Sequence, residues 1–277
     1  MNLKYKRKNT LTILALIIIV SLIIISILAP YITKYKLDAS DLYNIYAGPS
    51  REHILGTDEV GRDVFTRLIY GGRVSLMVGF SAMIVQLTLG IILGAVSGYM
   101  GGVVDKIIMG IVDIILCFPF YVIAITIAAI VGPSIWNLIG IIGVLSWPEI
   151  ARIIRSEIMS LKENDYVMAA RSMGLNSMEI IFHHLLPNVI TPIIVAATLA
   201  IAQGILSEAA LSFLGMGVRP PMPSWGNMLS SAQDLATLQR QWWMWIPAGI
   251  MVIIIVISIN LLGDGIKEHM NSRNKRK

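Results

Sequence analysis

Long runs of Ile, Leu, Val and Ala alternate with short polar stretches along this chain, and the lengths of those runs carry the first structural information. Apolar segments near 10–33, 74–98, 107–131, 134–151, 192–214 and 244–263 approach the roughly 20 residues that a helix needs to cross a bilayer. They predict an all-α, polytopic membrane protein with six transmembrane helices. The fourth, SIWNLIGIIGVLSWPEI, is the shortest and closes at Pro148 and Glu149. The first is closed by Pro30 and Tyr31. It is too long for a signal-peptide core and lacks a small-x-small cleavage site, so it reads as an uncleaved signal anchor.

One polar stretch, 164–192, breaks the pattern most sharply, because it is helix-forming yet lies between two apolar runs. Residues 166–173 favour a short helix, and Gly174 stands where a helix end wants a left-handed residue. Asn176 followed by Glu179 predicts a capping box, a second helix from Ser177 to Leu186, and a stop at Pro187. Two short helices joined at a glycine make a knob. Ala169 and Ala170 leave room for another protein, while Tyr166, Val167, Met173 and Leu175 offer apolar contact. The plain alternative is a hairpin that only connects two membrane helices.

In the loop after the first span, Thr57 or Asp58 is positioned to cap a helix with Val60, Val64, Phe65, Leu68 and Ile69 on one face. Asp58, Arg62, Asp63 and Arg67 fall at its cap or on its polar side, so the expected element lies along the outer membrane surface. It either meets a substrate-delivery protein or only braces the bundle.

Composition agrees with a bilayer: 56% hydrophobic residues, 14% charged and a mean hydropathy of +0.73 exclude a soluble globular domain. Net charge is +5, with basic residues gathered in MNLKYKRKN and NSRNKRK at the ends. Placing both ends, 99–106 and 152–187 on one side collects 14 of the 22 lysines and arginines, which makes that side the cytoplasm. Within the membrane, Asp113 and Pro119 mark a possible kink with a carboxylate facing inward. Glu208 lies beside a translocation path or its gate, or else pairs with an arginine such as Arg219. Gln86 and Gln203 read as interhelical hydrogen-bond formers. Trp225 and the cluster Trp242, Trp243 and Trp245 suit a membrane interface.

Several blocks then carry a family resemblance. Ala169-Ala170, Gly174 and Leu186-Pro187 resemble the "EAA" loop of permease subunits of binding-protein-dependent ATP-binding-cassette importers, with Met168 where that family has a glutamate. HILGTDEVGRDVFTRLIYGGRVSL, GMGVRPPMPSWGNML and NLLGDG are similar to signatures of the C-type permeases in the dipeptide, oligopeptide and nickel branch. The matches span about 53–268. The resemblance implies a type I importer permease fold divided into 1–73, a core at 74–268 with a coupling loop at 159–191, and a basic cytoplasmic tail at 269–277. It also implies a bacterial or archaeal inner-membrane location, a homologous second permease, two ATPase subunits that grip Met168, Ala169, Ala170, Gly174, Leu175, Leu186 and Pro187, and an extracytoplasmic binding protein. The cargo would be a di- or oligopeptide, or alternatively nickel or a metal chelate.

The chain has no GxxxxGK[ST], so ATP and Mg would be bound by the partners and this subunit is not itself an enzyme. Its four histidines lie outside the spans and form no HExxH, so no metal site is expected. Nucleic acid is not an expected partner, since the basic ends of a membrane protein mark its cytoplasmic side. A secondary transporter or channel is the reading from another class, but no internal repeat supports it.

Overall fold

The computed structural model describes residues 2–274, with side-chain surroundings over 10–270. The basic side chains of MNLKYKRKN and NSRNKRK lie outside the described residues. The chain begins with α1 (Asn2–Ile27) and the short α2 (Ala29–Ile32), in whose first turn Pro30 sits. The core follows as α3 (Val64–Met100), α4 (Gly102–Cys117), α5 (Phe120–Val131) and α6 (Ile135–Leu161). The knob holds α7 (Asp165–Ser172) and α8 (Ser177–Glu179), and leads into α9 (Ile190–Phe213). An outer segment carries α10 (Trp225–Leu229) and α11 (Leu235–Arg240) before α12 (Ile246–Asn274).

Among the described residues, five helices are long and apolar enough to cross a membrane, and the α4–α5 pair makes a sixth if its two parts count as one span. That pair is not the straight helix expected at 107–131: it bends by 87° between Cys117 and Phe120. Pro119 has no N–H to continue the ladder and stands as the N-cap of α5. The span expected at 134–151 runs on to Leu161, carrying Pro148 inside it. A proline in a helix interior removes one backbone hydrogen bond without ending the helix when surrounding packing is dense. Dense packing is present, since Trp147, Ile150 and Ala151 beside it are buried.

α3 and α6 are the centre of the bundle and run parallel. Gly90, Gly94 and Gly98 recur every fourth residue on one face of α3, and α6 lies against that stripe with Ile150, Ala151, Ile154, Arg155 and Ile158. A Cβ at Gly94 would sit 2.6 Å from the Ala151 carbonyl oxygen, so only glycine permits this approach. Replacing Gly94 by leucine is expected to force the helices apart and destabilise the protein by about 1–3 kcal/mol or more. Gly110→Ala and Gly140→Ala, whose added Cβ meets nothing within 4 Å, serve as neutral controls in the same melting measurement on detergent-purified protein.

α9 runs antiparallel to α3, with Gly204 against Gly79 and Glu208 against Ser75. Because α3 and α6 are parallel, α4 and α5 must carry the chain back across the membrane between them. Gly263 of α12 packs on Thr198, and Gly265 on Thr12 of α1. These contacts bring the start of α1 and the end of α12 to the side that carries the knob. α1 is peripheral: only 17% of its span is buried, against 56% for α6.

On the opposite side, residues 34–63 form a loop without a long helix of its own. The surface helix expected from Thr57 is absent because Asp58 binds elsewhere: it accepts from the Val60 and Arg62 N–H groups at 3.0 and 2.9 Å and from Arg62 Nε at 2.7 Å. Asp63 caps the helix instead, accepting from Thr66 N and Oγ1 at 2.7 Å, and α3 then continues unbroken into the membrane. Asp58, Asp63 and Arg67 are buried, and His53 Nδ1 lies 2.9 Å from Asp63 while stacking on Tyr35. Arg67 reaches the Pro221 carbonyl at 3.3 Å. The geometry is that of a brace joining the first outer loop to the second.

Trp225 is buried at 2% exposure rather than at an interface, and its ring N–H donates to the Leu68 carbonyl. Of the later tryptophans only Trp242 is exposed, while Trp243 covers the Thr57 loop and donates to its carbonyl.

Candidate functional site

The knob begins where α6 leaves the bundle. α7 ends on a pair of hydrogen bonds, Gly174 N–H to the Arg171 carbonyl at 3.0 Å and Leu175 N–H to the Ala170 carbonyl at 3.3 Å. This crossed pair is the Schellman closure, and it requires the left-handed backbone that Gly174 takes at φ +83°. The same closure ends α9, with Gly215 and Met216 in the corresponding places. Asn176 and Glu179 form the expected reciprocal box at 2.9 and 3.0 Å. The helix they start does not stop at Pro187. It changes register, running as a π-helix over Ile180–Leu185 and a 3-10 turn over Leu186–Val189 before entering α9. Pro187 is tolerated at the start of that turn, where its missing N–H has no partner to lose.

Packing sorts the candidate contact residues into two sets. Val167 and Ala170 face inward, at 0% and 1% exposure, and join Ile154, Ile158, Ile180, Ile181 and Leu185 in one core cluster that reaches Ala95 of α3 and Ala200 of α9. The sequence places both on the docking surface, and the structure corrects this: they hold the knob to the bundle. Leu175 and Leu186 are half-buried against the same cluster. Met168, Ala169, Gly174 and Pro187 remain exposed, with Tyr166, Met173, Met178 and Phe182 beside them. An exposed group of methionines and aromatics on a polar loop is adaptable contact surface. A cation over a ring ties the knob to α3, and an ion pair beside it ties α6 to α4. Arg171 lies over the Tyr99 ring at 5.4 Å, and Arg155 binds Asp105 in a bidentate pair at 2.5 and 2.6 Å, with Ser97 donating to the same carboxylate.

The membrane residues are distributed differently from expectation. Asp113 does not face the interior; it is exposed and paired with exposed Arg152 at 2.5 Å. Glu208 is fully buried and, among the described residues, has no arginine partner. Ser75 and Ser212 donate to its two oxygens at 2.7 Å, and Ser75 in turn accepts the Trp225 N–H at 3.1 Å. Arg219 lies exposed on the outer segment. Glu208 therefore fastens α3, α9 and the start of α10 together. Near the α4–α5 bend lies a cavity of about 440 Å³, lined by Phe118 and Phe120 on either side of Pro119 and by Gln86, Glu149, Gln203 and Asn260 from four other helices. Gln86 does not bond another helix through its amide nitrogen, which is buried without a partner, and Gln203 is exposed.

Over residues 88–276 the chain matches the family of binding-protein-dependent transport system inner membrane components. It belongs to that family. The permease also matches, over 4–49, the N-terminal transmembrane domain of oligopeptide transport permease C, a stretch in which the apolar pattern alone carries no signature. It is 43% identical to a dipeptide transport system permease protein of Alkalihalophilus pseudofirmus, over 98% of this chain and 89% of that relative. An oligopeptide transport system permease protein of Bacillus subtilis is 34% identical over 98% of the chain and 88% of its own length. Among solved structures, the permease resembles an inward-facing form of the MetNI methionine ABC transporter, with a TM-score of 0.60 and 20% identity over 73% of this chain and 95% of that one. The fold is thus that of an ABC importer permease. Membership of this family removes the secondary-transporter and channel reading.

Proposed function

We propose that this permease pairs with a homologous second permease to form a path for di- and oligopeptides, with the knob as its contact to an ATPase subunit. The observation that carries the reading is the exposed set Tyr166, Met168, Ala169, Met173, Met178 and Phe182 on a knob packed into the same core as α3, α6 and α9. A push on that surface has a rigid route into the helices that surround the cavity. Two ATPase subunits supply the energy and bind ATP and Mg; an extracytoplasmic binding protein delivers the cargo. Peptides are favoured over nickel or metal chelates because the relatives described above are named for peptides. Glu208 acts as a gate anchor, Pro119 as the hinge of the bent pair, and Asp58, Arg62, Asp63 and Arg67 as the brace beneath the binding protein.

The basic-residue distribution supports a reading with the knob and both chain ends in the cytoplasm. In a Cys117→Ser background, a cysteine at Ser177 should react only with a reagent supplied from the cytoplasm, and one at Ser50 only from outside; both sites are exposed. Labelling of both from one side would remove this orientation. Co-purification of the tagged permease with an ATPase subunit, lost on Met173→Asp, tests the contact itself.

A further inference from the structure

Three carboxamides and one carboxylate meet around the cavity at the α4–α5 bend. Gln86, Glu149, Gln203 and Asn260 each lie near the middle of a different helix, α3, α6, α9 and α12, and all line the same space. Glu149, Gln203 and Asn260 are exposed there, while Gln86 is 3% exposed and its Nε2 has no hydrogen-bond partner. Lipid does not satisfy such groups, and polar side chains on spanning helices face protein or a water-filled route. A buried amide left without a partner in the folded chain is unusual and points to something that arrives later. The cavity volume lies within the range of small-ligand sites, roughly 300–1,000 Å³.

We infer that this ring is where the permease holds a peptide in transit, by its main chain rather than its side chains. The inference rests on the peptide reading above and names the chemistry of its path. A carboxamide offers one acceptor and two donors, which complements the C=O and N–H of a peptide bond. Gln86, Gln203 and Asn260 supply three such groups from three helices, while Glu149 is the only charged residue lining the cavity. A carboxylate there suits the α-ammonium group that unmodified peptides share. Tyr121 and Ser146 add two neutral hydroxyls, and the rest of the lining, including Phe118, Phe120 and Leu206, is apolar, so nothing beyond Glu149 offers a charge that selects among side chains. Hydrogen bonds of this kind are individually modest, so a cargo shared among three helices is held without being trapped.

The test uses the full complex with its binding protein in proteoliposomes, and trialanine, trileucine and trilysine as cargo. Gln86→Leu, Gln203→Leu and Asn260→Leu should each slow uptake roughly five- to tenfold, the effect of losing one hydrogen bond, and by the same factor for all three peptides. Gln86→Leu should not lower the melting temperature of the purified complex, because the amide it removes has no partner in the chain. A trialanine with one of its two peptide bonds N-methylated should be a poorer substrate for the wild type. It should lose less in Gln203→Leu, where the partner is already missing. Glu149→Gln should slow trialanine more than its N-acetylated form.

Unchanged uptake in the leucine variants overturns the inference, as does a loss that differs between trileucine and trilysine. Loss of co-purification with the second permease in Gln203→Leu, or a lowered melting temperature in Gln86→Leu, overturns it too by making the ring a structural contact. If the wild type takes up none of the peptides, the peptide reading itself falls and this inference with it. That result is distinct from uptake that persists in every variant.

Discussion

Gly174→Val is expected to abolish productive contact with the ATPase subunit while leaving the membrane bundle intact. Space is not the constraint, since a Cβ at Gly174 meets nothing within 4 Å. The constraint is the backbone, whose φ of +83° costs a side-chain-bearing residue about 1–2 kcal/mol, and more when the side chain is β-branched. Relieving that strain breaks the closure from Gly174 and Leu175 to Arg171 and Ala170, and α7 then loses its fixed angle to the π-helical segment. ATPase association should fall roughly tenfold or more, the equivalent of about 1.4 kcal/mol at the contact. Gly174→Asn, which tolerates the left-handed region, should remain close to wild type. Ala170→Glu should also fail, by a different route: it puts a carboxylate into the cluster around Ile158 and Leu185 and unseats the knob. Met168→Glu, on the exposed face, should leave the knob folded. Pull-down of the ATPase subunit and peptide uptake together separate these cases. Full binding and full uptake in Gly174→Val would reduce the knob to a connector.

A comparably large effect is expected at Glu208, at the other end of the molecule. Glu208→Ala leaves the Ser75 and Ser212 hydroxyls without their acceptor and opens a void in a site with no solvent access, at a cost of about 2–5 kcal/mol. Ser75 then no longer holds the Trp225 N–H in place, so protease cleavage between residues 214 and 230 should accelerate. Glu208→Gln keeps the volume but turns one acceptor into a donor facing a hydroxyl. Assembly should survive at a cost of about 1–2 kcal/mol, with uptake reduced. Normal uptake in Glu208→Gln would end the gate role, and loss of assembly would make the residue purely structural.

Much of the architecture is legible in the residue pattern because membrane helices announce themselves by composition. The six apolar runs, the turn at Gly174 and the capping box at Asn176 and Glu179 each rest on local chemistry that a single sequence carries. What escapes the pattern is relational. Pro119 signals a break but not an 87° bend, which depends on what α4 and α5 pack against. Two aspartates, Asp58 and Asp63, are both competent to start α3. Only the competing demand of Arg62 and the 60–62 backbone on Asp58 decides between them. The inward set of a two-turn helix such as α7 cannot be separated from its outward set when both are small or apolar, so Ala170 and Val167 look like contact surface. The membrane cavity is the least legible feature of all. Gln86, Glu149, Gln203 and Asn260 are far apart in the chain, and nothing local links them.

The stripe of glycines on α3 has a mechanical meaning. Helices in such close contact cannot slide, because a shift of one residue, about 1.5 Å along the axis, carries Ile150, Ile154 and Ile158 of α6 off the glycines and onto positions of α3 that bear side chains. α3 and α6 therefore move as a single rod. One end of that rod carries the knob on the extension of α6, and the other carries the Asp58–Arg62–Asp63 brace at the start of α3. A stroke at either end reaches the other as tilt rather than as slack. An arriving binding protein and a closing ATPase would accordingly pull on the same lever, and each would register the state of the other without a separate relay.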